Sequence, residues 1–368
     1  MAITFIRYAG VLGFLFCFFC APLSAANQQN GLRIEPFSLK PDRPHDIEFP
    51  SQHQIGRLIF LGGIALRSDN PAFGGLSALR VSSDGQQALA LSDRGRFWNF
   101  ALAYNQQGWL SGASILGNFR MQTDVTGRPL GDGMRDSEAM EWAGDGGVIV
   151  SFEHHHRIWR FPPSNTDKNL DLTTSHSGNI GGSTVDTPRL LPRDAPKNFP
   201  APSDLKNAPS NGGIEALVAL TPQGADGPLL ALAEQYLAEM GEITSVHGWL
   251  RNNQEWHDLR YRVSEGFRPT DAARLPNGDI VVLERRINLP FDLGTRIVQV
   301  KAETIKAGAL LEGKELIRFD ASLPKDNFEG LAVRQDDAGK VYLYVISDDN
   351  FNAQLIQRTW LLMFGLGS

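Results

Sequence analysis

The amino-acid sequence predicts an all-β fold, a β-propeller of six blades, and three observations support this. Helical periodicity is scarce, and short runs that alternate apolar with polar residues recur between Gly, Asp, Asn and Pro. A unit of two strands around a glycine-containing turn returns five times, and at roughly 55 residues a blade the chain accommodates six. Strand-like segments at 55–66 and 359–366 flank these units, and we expect them to pair as the sixth blade and close the ring.

The first 26 residues have the pattern of a secretory signal peptide. Arg7 precedes the apolar run VLGFLFCFFC, which is too short to cross a bilayer, and Ser24 and Ala26 occupy the −3 and −1 positions of a cleavage site. Cleavage after Ala26 predicts a bacterial periplasmic or secreted protein whose residues 27–368 form a single propeller domain. Both cysteines lie in this leader, so we expect neither a disulfide nor a thiolate metal site in the mature chain.

Composition excludes several classes of partner. The formal net charge is −6 and the chain has no basic block, which argues against nucleic acid. After the leader, no segment reaches the length of continuous apolar sequence that a membrane span needs. There is no G-x-S-x-G elbow, P-loop or dinucleotide fingerprint. We therefore expect a monomer that acts on a small molecule.

The repeated unit carries an acidic residue before its first strand and another after its second. The five copies open at GGLSALRV, DSEAMEW, GGIEALV, RPTDAAR and NFEGLAV. Their alignment places five residues at one opening position: Gly75, Glu138, Glu215, Asp271 and Glu329. The closing position holds five acids: Asp93, Glu153, Glu234, Glu284 and Asp348. One interval between copies is wide because a segment rich in Pro, Ser, Asn and Thr, residues 162–211, is predicted as a long loop inserted between blades.

Equivalent positions of a propeller form a ring around its channel, so the recurring acids predict a metal site. Several carboxylates at close range repel one another unless protons or cations neutralise them. Oxygen ligands favour Ca²⁺, with Mg²⁺ as the alternative. The predicted ligands are Glu138, Glu153, Glu215, Glu234, Asp271, Glu284 and Glu329. In the competing interpretation, these acids are architectural and accept hydrogen bonds from the amides of tight turns.

The segment SFEHHHRIWRF contains three consecutive histidines, which resemble a metal site. Alternation along an extended chain places His154 and His156 on one side and His155 on the other, so the three cannot all face one ion. The residue that recurs in the other copies is Glu153, which is the better candidate. Arginines also follow the closing acids, and we predict that Arg157 and Arg285 bind an anionic ester. Salt bridges to the same acids are the alternative.

Five segments together resemble the bacterial family named for the esterase-like activity of phytase: DSEAMEW, SFEHHHRIWRF, NGGIEALVAL, GFRPTDAARLPNGDIVVLERR and DNFEGLAV. The similarity extends over about residues 56–364. It implies a secreted or periplasmic propeller related to calcium-dependent phytases, in which carboxylates hold several Ca²⁺ ions that bind phosphate and activate water. All seven predicted ligands match the motif pattern. The chain lacks the dense lysine and arginine cradle expected for a true phytase, which argues against phytate as the substrate.

The resulting functional prediction is metal-assisted hydrolysis of a phosphate ester, or another small anionic ester, in the propeller channel. Glu215 and Glu329 are predicted as catalytic carboxylates, one of them as a general base, with Arg157 and Arg285 on the anion. Two alternatives remain. One is a metal-dependent lactonase of the regucalcin type, and the other is a non-catalytic propeller of the cell envelope that binds a ligand or a protein.

Overall fold

The computed structural model describes residues 27–29, 32–37, 53–163, 190–192, 195–237, 245–288, 292–351 and 357–367. The predicted signal peptide, residues 1–26, lies outside this range. The described part is almost entirely β-structure, as predicted. Its helical elements are three 3-10 turns, Asp132–Met134, Leu205–Asn207 and Ala302–Thr304. Within these residues, no helix has the length and apolar character required to span a membrane.

The described residues form 24 strands, which are numbered in chain order. The first twelve are β1 (Asn27–Gln29), β2 (Leu32–Phe37), β3 (His53–Ile55), β4 (Leu58–Ser68), β5 (Leu76–Val81), β6 (Gln87–Ser92), β7 (Arg96–Tyr104), β8 (Leu110–Arg120), β9 (Ser137–Trp142), β10 (Val148–Phe152), β11 (Arg157–Phe161) and β12 (Lys197–Phe199). The remaining twelve are β13 (Ile214–Ala219), β14 (Leu229–Leu237), β15 (Ser245–Asn252), β16 (Glu255–Arg262), β17 (Arg268–Arg274), β18 (Ile280–Asn288), β19 (Asp292–Val300), β20 (Leu310–Leu311), β21 (Lys314–Arg318), β22 (Asn327–Gln335), β23 (Val341–Asp348) and β24 (Thr359–Leu366).

These strands form five sheets, which are the five blades of a β-propeller. Blade I contains β5 to β8, blade II β9 to β12, and blade III β13 to β16 with β20 added at its edge. Blade IV contains β17, β18, β19 and β21. Blade V contains β22, β23, β24, β4, β2 and β1, with β3 paired to β4. The innermost strands β5, β9, β13, β17 and β22 contact one another in sequence and close the ring.

The prediction that both chain ends close the propeller is confirmed, whereas the prediction of six blades is wrong. Strand β24 pairs with β23 on one side and with β4 on the other. The fifth repeat supplies only the two inner strands of its blade, β22 and β23. A propeller blade needs about four strands, so the terminal strands complete this blade instead of forming a separate one.

The apolar core is divided among the interfaces between neighbouring blades. Trp98 of blade I and Tyr344 of blade V belong to one apolar cluster, and Ile149 of blade II and Trp249 of blade III belong to another. All four side chains are at most 1% exposed. Burial of a large apolar side chain contributes about 1.5–3 kcal/mol, so the packing of blade on blade stabilises the ring that positions the channel.

The predicted inserted loop, residues 162–211, contributes to the second blade where the structure describes it. Strand β12 lies within this segment and pairs with β11 as the outer strand of blade II. Leu190 and Leu191 are buried in the apolar cluster between blades I and II. Residues 164–189 and 193–194 lie outside the described residues.

Each inner strand contains a β-bulge at the same point. The positions of these bulges show which residues of the repeats are structurally equivalent, and they differ from the alignment made from sequence. The pairing skips Ser77 in β5, Glu215 in β13, Thr270 in β17 and Glu329 in β22. In β9 the skipped residues include Glu138. Gly75 and Asp271 are therefore not equivalent to the three glutamates. Bulges reorient side chains and are frequent beside functional sites.

Candidate functional site

Three glutamates from three blades meet at the bulges. Glu138 of blade II, Glu215 of blade III and Glu329 of blade V each offer a carboxylate oxygen within 4.8 Å of the others. Their side chains are 4–9% exposed. Because the bulge recurs at the same point of each blade, the three carboxylates point to one place in the channel.

A second group of carboxylates shares a member with the first. Asp136, Glu138 and Glu153 also bring carboxylate oxygens within 4.8 Å of one another. Glu153 accepts a hydrogen bond of 2.6 Å from the backbone N–H of Gly213. We call Asp136, Glu138, Glu153, Glu215 and Glu329 together the acid cluster. Sequence reasoning missed Asp136, although it opens the same DSEAMEW motif that contains Glu138.

One arginine lies against the acid cluster. The Arg285 guanidinium donates to Glu329 and is 2.9 Å from the carboxylate of Glu234. It also donates to the side-chain oxygen of Asn327 at 2.8 Å, and the Asn327 amide donates to Glu329. Asn327 is not among the site residues predicted from sequence. Through these contacts, Arg285 fixes the positions of the Glu234 and Glu329 carboxylates.

Burial and mutual repulsion raise the pKa values of the acid cluster. Burial raises the pKa of Glu138 well above its ordinary value, and repulsion from Glu215 and Glu329 adds to the effect. The pKa of Glu215 is raised in the same way, by burial first and then by Glu234 and Glu153. Burial also raises the pKa of Glu153, to about 7. The cluster therefore retains protons near neutral pH unless a cation neutralises it.

Two further closing acids, Asp348 and Asp93, interact electrostatically with the acid cluster. Burial raises the pKa of Asp348 well above its ordinary value, and Glu329 and Asp93 add to the increase. Burial raises the pKa of Asp93 to about 7, although Arg94 opposes the shift. The acidic groups that interact electrostatically with the acid cluster therefore extend towards blades I and V.

Two of the predicted metal ligands are placed elsewhere and paired with arginines. Asp271 is fully buried, and its carboxylate lies 3.0 Å from the guanidinium of Arg80. Glu284 forms an ion pair with Arg296 and accepts a hydrogen bond of 2.7 Å from the hydroxyl of Tyr261. The structure thus brings Glu138, Glu153, Glu215 and Glu329 together, with Glu234 beside them, and leaves Asp271 and Glu284 apart.

Arg80 occupies the propeller axis and contacts every blade. Its guanidinium donates hydrogen bonds to backbone carbonyl oxygens in three blades: Leu79 in blade I, Leu217 in blade III and Leu331 in blade V. Its other contacts are the carboxylates of Asp271 in blade IV and Glu141 in blade II. The signal in the sequence for this role is that Arg80 is the charged residue of the largely apolar strand LSALRV.

Of the three histidines, His154 contacts the acid cluster, and Arg157 is held by aromatic rings and backbone carbonyl oxygens. His154 Nε2 is 2.9 Å from Asp136 Oδ2, and its Nδ1 is 2.6 Å from the hydroxyl of Ser210. The Arg157 guanidinium stacks over the rings of Phe152 and Trp159, at 3.9 and 4.2 Å from their centroids. It also donates to the backbone carbonyl oxygens of His155 and Met134.

The donor atoms of the acid cluster fit a hard divalent cation. All five side chains are carboxylates, and carboxylate oxygens are the ligands that Ca²⁺ and Mg²⁺ prefer. Ca²⁺ accepts six to eight oxygens in a flexible arrangement, which suits two overlapping groups that share Glu138. Such a cation would supply the counter-charge that a single arginine, Arg285, does not.

Comparison with known proteins identifies the family. Residues 71–351 match the family described as "Phytase-like: Esterase-like activity of phytase". The chain belongs to this phytase-like family. The prediction from the sequence motifs is therefore confirmed, and the matched range includes every residue of the acid cluster. No curated protein matches the sequence.

Comparison with solved structures gives matches of low sequence identity and low TM-score. AofleA from Arthrobotrys oligospora has 9% identity and a TM-score of 0.36, over 80% of this chain and 78% of that chain. The α-L-arabinofuranosidase PaAbf62A from Podospora anserina, solved with cellotriose, has 9% identity and a TM-score of 0.40, over 84% and 97%. A protein of unknown function from Dyadobacter fermentans has 12% identity and a TM-score of 0.35, over 92% of both chains.

Proposed function

We propose that this phytase-like propeller is an exported hydrolase that cleaves a phosphate monoester with the help of a divalent cation. Ca²⁺ is the leading candidate for this cation, and Mg²⁺ is the alternative. The observation that carries the proposal is the convergence of Glu138, Glu215 and Glu329 from three blades on one point in the channel. Membership of a family named for phytase and esterase activity supports hydrolysis of an ester.

Electrostatics supports a cation in the acid cluster. Among the described residues, the acid cluster contains five buried or half-buried carboxylates, and Arg285 pairs with one of them, Glu329, while its other hydrogen bonds go to Glu234 and Asn327. Protonation is one way to relieve the repulsion, and it is favoured because burial, and after it repulsion from neighbouring carboxylates, raises the pKa of Glu138 and Glu215. A divalent cation is the other way, and it competes with protons for the same oxygens.

The side chains have distinct roles in this proposal. Glu138, Glu215 and Glu329 would hold the cation, which when bound neutralises the phosphate charge and lowers the pKa of water. Arg285 and Asn327 fix the orientation of Glu329. Glu153 has a pKa of about 7 and accepts the Gly213 N–H through Oε1, so its Oε2 is suited to take a proton from water as general base.

A first experiment tests the cation. Protein stripped with EDTA is melted with and without Ca²⁺ or Mg²⁺, and bound metal is measured in the untreated protein. We expect a concentration-dependent increase in Tm with Ca²⁺, by mass action. Glu215→Gln should lose most of this increase. The exposed Glu312→Gln is the matched control, because Glu312 pairs with Arg262 away from the channel. A protein that carries no metal and does not respond to EDTA contradicts the proposal.

A second experiment tests the reaction. The calcium-loaded protein is assayed with p-nitrophenyl phosphate, an acyl ester and a lactone, again with Glu215→Gln and Glu312→Gln. Turnover of the phosphate ester that Glu215→Gln abolishes is the expected result. Turnover of the lactone alone favours the regucalcin-type alternative. Calcium binding without any turnover favours the non-catalytic propeller. Sequencing the N-terminus of the exported protein tests cleavage after Ala26.

A further inference from the structure

A pocket opens beside the acid cluster on the side of blades III and IV. Its volume is about 440 Å³, and Glu234, Arg268, Arg285, Ile287 and Asn288 are among the residues that line it. Pockets of about 300–1,000 Å³ are typical of small-molecule sites. Because Glu234 and Arg285 belong to the wall of this pocket and Arg285 also contacts Glu329, the pocket adjoins the acid cluster.

Two arginines stand directly opposite each other in the wall of this pocket. Arg268 of β17 pairs in register with Arg285 of β18. Side chains that are directly opposite in an antiparallel pair lie on the same face with their Cβ atoms about 4.5–5.5 Å apart, and like charges in this arrangement are destabilising. A compensating negative charge is therefore expected near both residues.

Among the described residues, Arg285 forms direct ion pairs, whereas Arg268 is attracted by Glu234 and Glu284 only at longer range. Arg285 is paired with Glu234 and Glu329. Arg268 donates a hydrogen bond of 2.8 Å to the backbone carbonyl oxygen of Phe267. Among the residues that the structure describes, no carboxylate lies within ion-pair distance of the Arg268 guanidinium. Its N–H groups remain available to an anion in the pocket.

Arg268 is also partly removed from water. Its side chain is half-buried at the beginning of β17, and burial lowers its pKa from the ordinary arginine value. A guanidinium that has lost part of its hydration gains more from a bidentate contact with a phosphate group than a fully exposed one does.

We propose that Arg268 binds the phosphate group of the substrate and that Ile287 contacts the alcohol part of the same molecule. This inference rests on the proposed function. It assigns the anion contact to Arg268 in place of Arg157 and Arg285, the two arginines predicted from sequence. Arg285 is held by two carboxylates, and Arg157 is stacked on aromatic rings and bonded to carbonyl oxygens.

The pocket also indicates the substrate class, a phosphate monoester of a compact alcohol with an apolar face. Ile287 is 51% exposed and is the large apolar side chain that stands out on the described surface. It lies at the pocket wall beside the polar Asn288. A highly phosphorylated polyol would require several free cations, whereas the two that line this pocket include one, Arg285, that is already paired.

The first test separates binding from turnover. Calcium-loaded wild type, Arg268→Ala, Arg268→Lys and the control Arg262→Ala are titrated with inorganic phosphate in a calorimeter and assayed with p-nitrophenyl phosphate. We expect Arg268→Ala to bind phosphate about 10- to 100-fold more weakly and to raise KM similarly, since a hydrogen-bonded charge contributes this much. Lysine should recover part of the loss, because it retains the charge but not the fork geometry. Melting curves verify that each variant is folded.

The second test addresses the alcohol. Ile287→Ser should raise KM for p-nitrophenyl phosphate about 3- to 10-fold, the effect of losing one or two buried methylene contacts, and leave KM for glycerol phosphate unchanged. Because Ile287 is exposed, this substitution should not affect folding. Equal changes for both esters, or none, overturn the assignment of Ile287.

The outcomes distinguish this inference from the proposed function. Turnover with an unchanged KM in Arg268→Ala overturns the inference and leaves the proposed function standing. Phosphate binding that depends on Arg268, in a protein without turnover, supports the inference and overturns the proposed function. Absence of phosphate binding in the calcium-loaded wild type overturns the inference.

Discussion

Replacement of Arg80 by methionine is the substitution with the clearest expected effect on stability. Arg80 is 4% exposed and lies 3.0 Å from the fully buried Asp271, with Glu141 at 3.5 Å. Methionine keeps much of the side-chain volume but removes the positive charge and the hydrogen bonds to blades I, III, IV and V. Asp271 would then be a buried carboxylate without a counter-charge.

The magnitude follows from the burial of this pair. Removing one partner of a buried ion pair costs about 3–5 kcal/mol. With an unfolding entropy of about 2.1 cal/mol/K per residue over the roughly 280 described residues, each kcal/mol corresponds to about 1.7 °C. We therefore expect Arg80→Met to lower Tm by about 5–8 °C. The control Arg120→Met, whose side chain is 41% exposed in a surface pair with Asp132, should change Tm by less than about 1 °C.

The assay is thermal unfolding of Arg80→Met, Asp271→Asn and the double variant. Asparagine removes the orphaned charge, so the double variant should be more stable than Arg80→Met alone, which a double-mutant cycle measures. The pKa of Asp271 is already raised to about 6 by burial, so the loss in Arg80→Met should shrink below pH 5, where Asp271 is protonated. A change in Tm of less than 2 °C at pH 7.5, or no recovery in the double variant, refutes this reasoning.

Three further predictions concern pH, packing and the rim of the site. In EDTA, the stability of the fold should fall between pH 5 and 8, because burial raises the pKa values of Glu153 and Asp93 to about 7 in the folded state. The stabilisation from their protonated forms is complete below the pKa values of the unfolded chain and is lost as the pH rises through 7. Melting at each pH measures this, and a Tm that rises with pH contradicts it. Gly330→Ala should cost about 1–3 kcal/mol, since a Cβ there would lie 2.7 Å from Ile346 and 2.9 Å from backbone atoms, whereas Gly112→Ala should be tolerated; urea unfolding compares them. Arg157→Ala should leave the KM for p-nitrophenyl phosphate within about twofold of the wild-type value, because aromatic rings and carbonyl oxygens already engage its guanidinium. A large increase in KM would contradict this and indicate that Arg157 binds the anion.

Repetition made much of this fold predictable from sequence. The five copies of the two-strand unit indicated a propeller, and the strand-like chain ends indicated closure. The same repetition brought Glu138, Glu215 and Glu329 together, because equivalent residues of successive blades face one channel. The number of blades could not be read in the same way, since the pairing of β24 with both β23 and β4 depends on which edge the terminal strands join.

The errors at the site have a local cause. Aligning acidic residues placed Asp271 with the glutamates, but the bulge of β17 lies at Thr270, one residue earlier. A shift of one residue on a strand turns the side chain to a different environment, and Asp271 accordingly meets Arg80. Bulges leave no reliable mark in a single sequence. The pairing of Arg268 with Arg285 was hidden for a related reason, because it depends on the register between β17 and β18.

Calorimetric titration of Ca²⁺ into EDTA-stripped protein tests the central claim most directly. The account predicts saturable binding by the wild type at pH 8, weaker binding at pH 6 because protons compete for the acid cluster, and affinity at least tenfold lower in Glu215→Gln. Glu312→Gln should bind as the wild type does. Absence of binding heat in the wild type, or identical isotherms for Glu215→Gln and the wild type, would contradict a cation site formed by Glu138, Glu215 and Glu329.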